Sequence, residues 1–462
     1  MTTTAESTAP AAAAGTPERT QWGAILTLGF AQLIVAGGMS TLAVALPSIR
    51  SGFAVTEAAT AWVLLAYALP MGAVAIAAGR LADKADLRAV AVLAMGGLAI
   101  FSAASALAPT FGLLIAARAA QGLIGGLLFG MTGKIVVTAA TQAQRGRALS
   151  AITLLMTIGA MGIGAAGGLI IAATSWRGLL WVFFGLAAVA ALALAATVPS
   201  NGTGLPRFGR EFAVDIATSG GAIVAFLMSF EYLDTDPWIS LGALATSVAL
   251  GWLWTRQRTS APTVALLRRP VMAAALVSLT LMSAVAGLLN FGFPYLLNDV
   301  YEVRPELISL ALLAFIGGVA VTTPIGGVLA DRFGAGRISM VGAGLVLAAL
   351  VPLLLVGENT GLVDLAVRIG LLGLAFGIFN TPMNAHLLAS APPEQAGTAG
   401  AFMATTRTVG TSLGPVIAAL MWSLASTPLD GYRLSALAIA AILVLGTAAM
   451  ATAKPWRATA NA

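Results

Sequence analysis

Three arginines stand where a charge is costly. Arg118, Arg368 and Arg407 lie inside long apolar runs, where an ionisable group needs a partner or a task. A guanidinium does not shed its proton, so each is a fixed positive charge able to hold a carbonyl or an anion. Arg407 stands about nine residues into its run, some 14 Å deep at helical rise. That is too deep to reach water by extending outward, and it predicts a cavity-facing role. Arg118 stands about two turns into its own run. Arg368 has Asp364 four residues before it, the spacing of an ordinary ion pair on one helix face. Around these lie uncharged polar groups within apolar runs: Gln32, Tyr67, Gln121, Asn290, Tyr295, Asn380 and Asn384. All 18 Asp and Glu fall in loops or near run ends, Glu231, Asp234 and Asp364 among them. This is the chemistry of binding with fixed positive charge. It favours neutral or anionic amphipathic compounds over lipophilic cations, which need a buried carboxylate.

Catalysis finds no support. The chain has no Cys, which removes thiolate metal sites, and a single His gives little basis for a histidine site. His386 sits near the end of an apolar run, and its expected role is structural. No Gly-x-x-x-x-Gly-Lys-Ser/Thr run is present, so nothing points to nucleotide binding. The expectation is a protein that is not an enzyme and carries no metal or cofactor.

The elements that must position these groups are membrane helices. The 462 residues are 59% hydrophobic and only 9% charged, too few charges to cover soluble domains. The net charge of +6 does not mean nucleic acid, because the charges cluster between apolar runs. A span needs about 20 apolar residues. That length gives about fourteen spans, near 22–46, 60–79, 89–108, 111–136, 148–172, 178–198, 212–230, 238–255, 270–297, 307–329, 338–356, 362–387, 398–424 and 434–452. A count of twelve would lay 212–255 on the membrane surface. Asp234, Asp236 and Pro237 instead make a polar turn between two apolar runs. With the N-terminus inside, only Arg50, Arg177, Arg304 and Arg433 of the 24 Lys and Arg fall outside, and Arg118, Arg368 and Arg407 fall within spans. That bias places both termini in the cytoplasm. Residues 1–21 are rich in Ala, Thr and Pro, and read as a disordered tail without signal-peptide character.

Two stretches repeat. Gly79-Arg80-Leu81-Ala82-Asp83-Lys84, ending at Arg88, matches Gly327-Val328-Leu329-Ala330-Asp331-Arg332-Phe333-Gly334, ending at Arg337. Each follows a helix that runs inward and opens one that runs outward. Such duplication marks transporters built from two related halves.

The Gly-x-Leu-Ala-Asp-Arg-x-Gly pattern resembles the loop between helices 2 and 3 of each half in the major facilitator superfamily. Leu114, Arg118, Gln121 and Gly122 resemble its fourth-helix motif. Val44-Ala45-Leu46-Pro47-Ser48-Ile49 and Trp62-Val63 with Tyr67 are similar to the fourteen-helix drug–proton antiporter branch. Arg145-Gly146-Arg147-Ala148, Ser175-Trp176-Arg177, and Phe212 with Asp215 fit the same branch. There are departures. Asp86 stands at the family's loop glycine in the first copy, and Leu87 at a basic position. Gly38 stands where the branch carries a helix-1 Asp, and Ile163-Gly164 replaces the Gly-Pro of its helix-5 motif.

The resemblance implies an all-α polytopic major facilitator fold: two six-helix bundles, 22–198 and 270–453, with a two-helix insertion at 199–269 and a tail at 454–462. It implies Arg118 as a proton-coupling residue. It implies a central cavity lined by Gln32, Tyr67, Gln121, Asn290, Tyr295, Asn380 and Arg407. It also implies charged latches at the inner helix ends, Asp83 with Lys84 and Arg88, and Asp331 with Arg332 and Arg337. The expected protein is a monomeric exporter of small amphipathic compounds in the cytoplasmic membrane. Its partners are the lipid bilayer and a small-molecule substrate, and its energy source is the proton gradient. A proton-independent facilitator or organic-anion exchanger is the alternative, and a non-transporting sensor a further one.

Overall fold

The computed structural model describes residues 18–55, 57–159, 164–200, 202, 204, 209–232, 236–302 and 305–452. Their regular structure is helical. A first group comprises α1 (Trp22–Phe53), α2 (Glu57–Lys84), α3 (Leu87–Ala106), α4 (Phe111–Ala139), α5 (Arg145–Ile158), α6 (Gly164–Ala173) and α7 (Trp176–Thr197). Then come α8 (Arg210–Asp215), a π-helical turn at Ile216–Gly220, α9 (Gly221–Glu231), α10 (Pro237–Thr255) and α11 (Ala261–Leu267). The last group is α12 (Pro270–Asp299), α13 (Pro305–Phe333), α14 (Ala335–Leu354), α15 (Leu362–Ser390), α16 (Ala396–Ser423) and α17 (Pro428–Thr452). Among the described residues, 11 helices are long and apolar enough to cross a membrane, and Trp22–Gly38 is a shorter apolar stretch. The expected fifth span at 148–172 is described as α5 and α6, and 160–163 lie outside the described residues, as does Asp234.

Local chemistry sets the helix starts. Asp86 caps α3 by accepting from the backbone N–H groups of Arg88 and Ala89, at 2.9 and 3.2 Å. Thr110, Ser175 and Asp236 cap α4, α7 and α10 in the same way. The two loop motifs part company here for a physical reason. Gly334 has φ of 93°, a left-handed backbone that only glycine adopts without strain. Asp86, at the equivalent place, has φ of −70° and spends its side chain as the cap. The departure from the motif therefore replaces a turn glycine with a capping carboxylate.

Helices pack within each group by small residues. Gly122, Gly126 and Gly130 of α4 face α2 so closely that a Cβ at any of them would collide with α2 atoms. Gly373 and Gly377 of α15 meet α13 in the same manner. The groups meet along two seams: α16 against α2 and α4, and α13 and α15 against α5. Between them, α9 packs on α10, on α2 and on α16. The inserted segment is tied down by Arg80, whose guanidinium pairs with Asp215 and also donates to the Thr259 carbonyl. Large apolar side chains such as Leu169, Leu192 and Val363 face outward, as lipid contact requires.

Candidate functional site

A cavity of about 220 Å³ lies between the two groups. Gln32 of α1, Met71 of α2, Phe129 and Thr132 of α4, Met156 of α5, and Asn384, Met403 and Arg407 from α15 and α16 are among its lining. A second cavity, about 170 Å³, extends from Met156 and Arg407 toward Phe315 and Phe376 and includes Asn380. Arg407 borders both. Its Nη2 donates to the side-chain oxygens of Asn380 and Asn384, at 3.0 and 3.2 Å. The two asparagines stand one turn apart on α15 and so offer their amides to one guanidinium. Gln32 hydrogen-bonds Thr132 across the α1–α4 contact. Among the described residues, no acidic side chain lines either cavity.

Arg118 is built differently. Its side chain is 1% exposed and every edge is used. Nε donates to the Val63 carbonyl at 3.1 Å, Nη1 to Gln121 Oε1 at 2.9 Å, and Nη2 to the Gly38 carbonyl at 3.4 Å. The guanidinium lies over the Tyr67 ring, 4.3 Å from its centroid. Gln121 in turn donates to Ser102 at 2.9 Å, and Tyr67 to the Val35 carbonyl at 2.9 Å. This corrects one expectation. Tyr67 and Gln121 do not border the central cavities; they belong to the Arg118 cluster, which rivets α1, α2, α3 and α4 together around a void of about 10 Å³. Their polar atoms are consumed by neighbours inside the first group. The sequence left their facing open because all sides of these helices are apolar.

The motif acids also take partners other than those expected. Asp83 accepts from the Gly397 and Thr398 N–H groups, at 2.8 and 3.1 Å, and from the Thr398 hydroxyl at 2.8 Å. Asp331 accepts from the Gly146 and Arg147 N–H groups, at 2.9 and 3.3 Å, with the Arg147 guanidinium at 3.7 Å. Each acid thus caps the first turn of a helix in the opposite group, α16 or α5, where the helix dipole favours an anion. The basic motif residues stand apart from these contacts. Lys84, Arg332 and Arg337 are exposed, and Arg88 donates to the Val198 carbonyl at 2.6 Å. Lys134 adds a bond across the seam to the Pro393 carbonyl, at 3.0 Å. At this end the backbones of Gly79 and Gly397 touch with no room for a Cβ, and so do Gly133 and Ala396. The molecule is closed on the side that bears the loop motifs.

Other expectations find their places. Arg368 pairs with Asp364 at 2.6 Å and donates to the Pro352 carbonyl, an ordinary helix-face ion pair. His386 is buried and lines neither cavity. Asn290 and Tyr295 lie on α12 and Glu231 ends α9, and their side chains lie outside the described residues. Sequence reasoning missed Met71, Thr132 and Met156 as cavity lining and Gly397 with Thr398 as latch partners. A signal for the latter existed: Gln144-Arg145-Gly146-Arg147-Ala148 and Gln395-Ala396-Gly397-Thr398-Ala399 repeat a Gln-x-Gly-x-Ala pattern, each beginning on the last residue of a short 3₁₀ turn.

The description Major Facilitator Superfamily matches residues 28–415 of the chain. The chain is 29% identical over 406 residues to multidrug resistance protein Stp of Mycobacterium tuberculosis, covering 86% of this chain and 75% of that protein. It is 26% identical over 416 residues to the tetracenomycin C resistance and export protein of Streptomyces glaucescens, covering 86% and 75%. It is 25% identical over 417 residues to multidrug efflux pump LfrA of Mycolicibacterium smegmatis, covering 87% and 81%. The crystal structure of the human organic anion transporter MFSD10 shares the fold, with a TM-score of 0.65 at 16% identity, covering 94% of this chain and 100% of that one.

Proposed function

The chain belongs to the Major Facilitator Superfamily, a family of membrane transporters, and from that premise we propose that it exports small amphipathic organic compounds by alternating access. In this reading it crosses the cytoplasmic membrane fourteen times as a monomer with both termini inside. Residues 22–198 and 270–453 move as two bundles, and 199–269 ride with the first through the Arg80–Asp215 pair. The observation that carries the proposal is the cavity between the two groups, sealed at one end by Asp83 and Asp331 acting on opposite helices. Opening that end would separate each carboxylate from its helix terminus, and closing would restore both.

Proton entry is the proposed driving force, with Arg118 the coupling residue through its bond to the Gly38 carbonyl on α1. Neutral or anionic compounds are the proposed cargo, ahead of cations. The test uses everted vesicles energised to an acid interior. Substrate-induced proton release that disappears in Arg118→Ala supports the coupling. Transport with no proton signal removes it.

One observation favours a second reading, a proton-independent facilitator or anion exchanger. Among the described residues neither cavity is lined by a carboxylate that could carry a proton. A transport rate independent of pH would select it.

A further inference from the structure

Among the described residues, no side chain answers the charge of Arg407. Among the described residues, the ion pairs join Arg80 to Asp215, Arg147 to Asp331, Arg368 to Asp364 and Arg433 to Asp430. Arg407 is in none of them. Its two partners, Asn380 and Asn384, are neutral amides, which orient a guanidinium without cancelling its charge. Both bonds use Nη2. Among the described residues Nε and Nη1 make no hydrogen bond, and they are not sealed off, because the side chain borders both cavities. A charge removed from water without a counter-charge is unfavourable, and a ligand that supplies one gains what the fold withholds.

We infer that Arg407 is the head-group site for an amphipathic monocarboxylate. The inference rests on the exporter reading and names its substrate class. The carboxylate accepts from Nε or Nη1, and the apolar body lies against Met71, Phe129, Met156 and Met403. Asn380 and Asn384 are positioning residues: they fix the guanidinium so that its remaining donors face the cavity. Charge-assisted hydrogen bonds are about twice as strong as neutral ones, so an alcohol of the same shape loses most of the head-group attraction. An ammonium meets a like charge, with no acid among the described lining residues. The methionine walls are flexible and tolerate varied ring shapes. Selectivity is therefore strict for head-group charge and loose for the body.

The test is equilibrium dialysis of the full chain in lipid nanodiscs with three probes of one shape: 2-naphthaleneacetate, 2-naphthaleneethanol and 2-naphthaleneethylammonium. The carboxylate is expected to bind about tenfold more tightly than the alcohol, with the ammonium weakest. Arg407→Gln abolishes that preference. Asn384→Asp abolishes it too while keeping the arginine, because it supplies an internal counter-charge; Asn384→Ala keeps the free charge but not its positioning, and weakens the preference while leaving the binding of the alcohol unchanged. Equal binding of the alcohol or the ammonium overturns the inference, as does binding of none of the three, or a preference that survives both Arg407→Gln and Asn384→Asp. Proteoliposome transport separates this from the exporter reading. Carboxylate binding as expected with no transport of any probe refutes export and leaves the anion site standing.

Discussion

Asp83 and Thr398 lie 315 positions apart, yet Thr398 gives both its backbone N–H and its hydroxyl to one oxygen of the Asp83 carboxylate, at 3.1 and 2.8 Å. The contact joins the end of α2 to the start of α16 across the seam between the two groups. Asp331 makes the corresponding contact with α5. The two loop motifs thus act on each other's halves, which lets one relative movement break or make both.

Asp83→Asn keeps the shape and removes the charge that the α16 terminus favours. The closed end should lose about 1–2 kcal/mol, a five- to thirtyfold shift toward opening. The chain has no cysteine, so a single Ala404→Cys in the cavity wall reports cleanly. Its labelling by an impermeant maleimide from the loop-motif side should accelerate in Asp83→Asn, and further when Asp331→Asn is added. An unchanged rate would refute the latch.

Arg118→Ala leaves the Gln121 side-chain oxygen and the guanidinium's place on Tyr67 without a partner. The expected cost is about 1–3 kcal/mol, seen as earlier thermal unfolding in detergent. Arg118→Lys should rescue little, because an ammonium cannot reach Val63, Gly38 and Gln121 in one plane. Full stability of either variant would show that the cluster is not a rivet.

Gly38 presents its carbonyl to Arg118, and a Cβ there would meet Phe183 at 3.6 Å and the Tyr67 hydroxyl at 3.9 Å, ordinary contacts. A Cβ at this position is therefore tolerated, and Gly38→Asp should place a carboxylate beside the guanidinium once Phe183 shifts to make room for it. The pH profile of transport by this variant should differ from that of the parent. Identical pH profiles for the two would count against it.

Asp86 lies in the loop between α2 and α3. Burial alone would push its carboxyl up, but hydrogen bonds from Ser200, Ala89, Arg88 and Gly202 together outweigh it and hold it below its ordinary value. Because the folded form favours the carboxylate, its contribution is present above the unfolded value and is lost as pH falls through the folded one. Asp86→Asn should destabilise the protein at neutral pH and make its acid unfolding less steep. Parallel stability curves against pH, measured by thermal unfolding, would contradict this.

The loop motifs were legible as repeats because their residues stand in fixed order, but their partners were not. Asp83 looked paired with Lys84 and Arg88, its neighbours in sequence. The true partners, Gly397 and Thr398, become neighbours only when α2 packs on α16. Tyr67 and Gln121 show the same limit. Each is recognised as a polar group within a span and expected on the cavity, but its direction is set by packing. Arg407 was placed near mid-depth by counting residues, whereas its asparagine partners required the packing of α16 on α15.

Hydropathy and charge order, which sum along the chain, determined the helical membrane class, and the order of the motif residues determined the duplicated halves. What lay around each helix was left to the tertiary structure. In lipid both the packed and the outward faces are apolar, so the 3.6-residue periodicity that marks the buried side of a soluble helix is largely erased. Which residues face the cavity, which rivet a bundle and which close the seam were decided by packing, through glycine contacts and the few polar groups that needed partners.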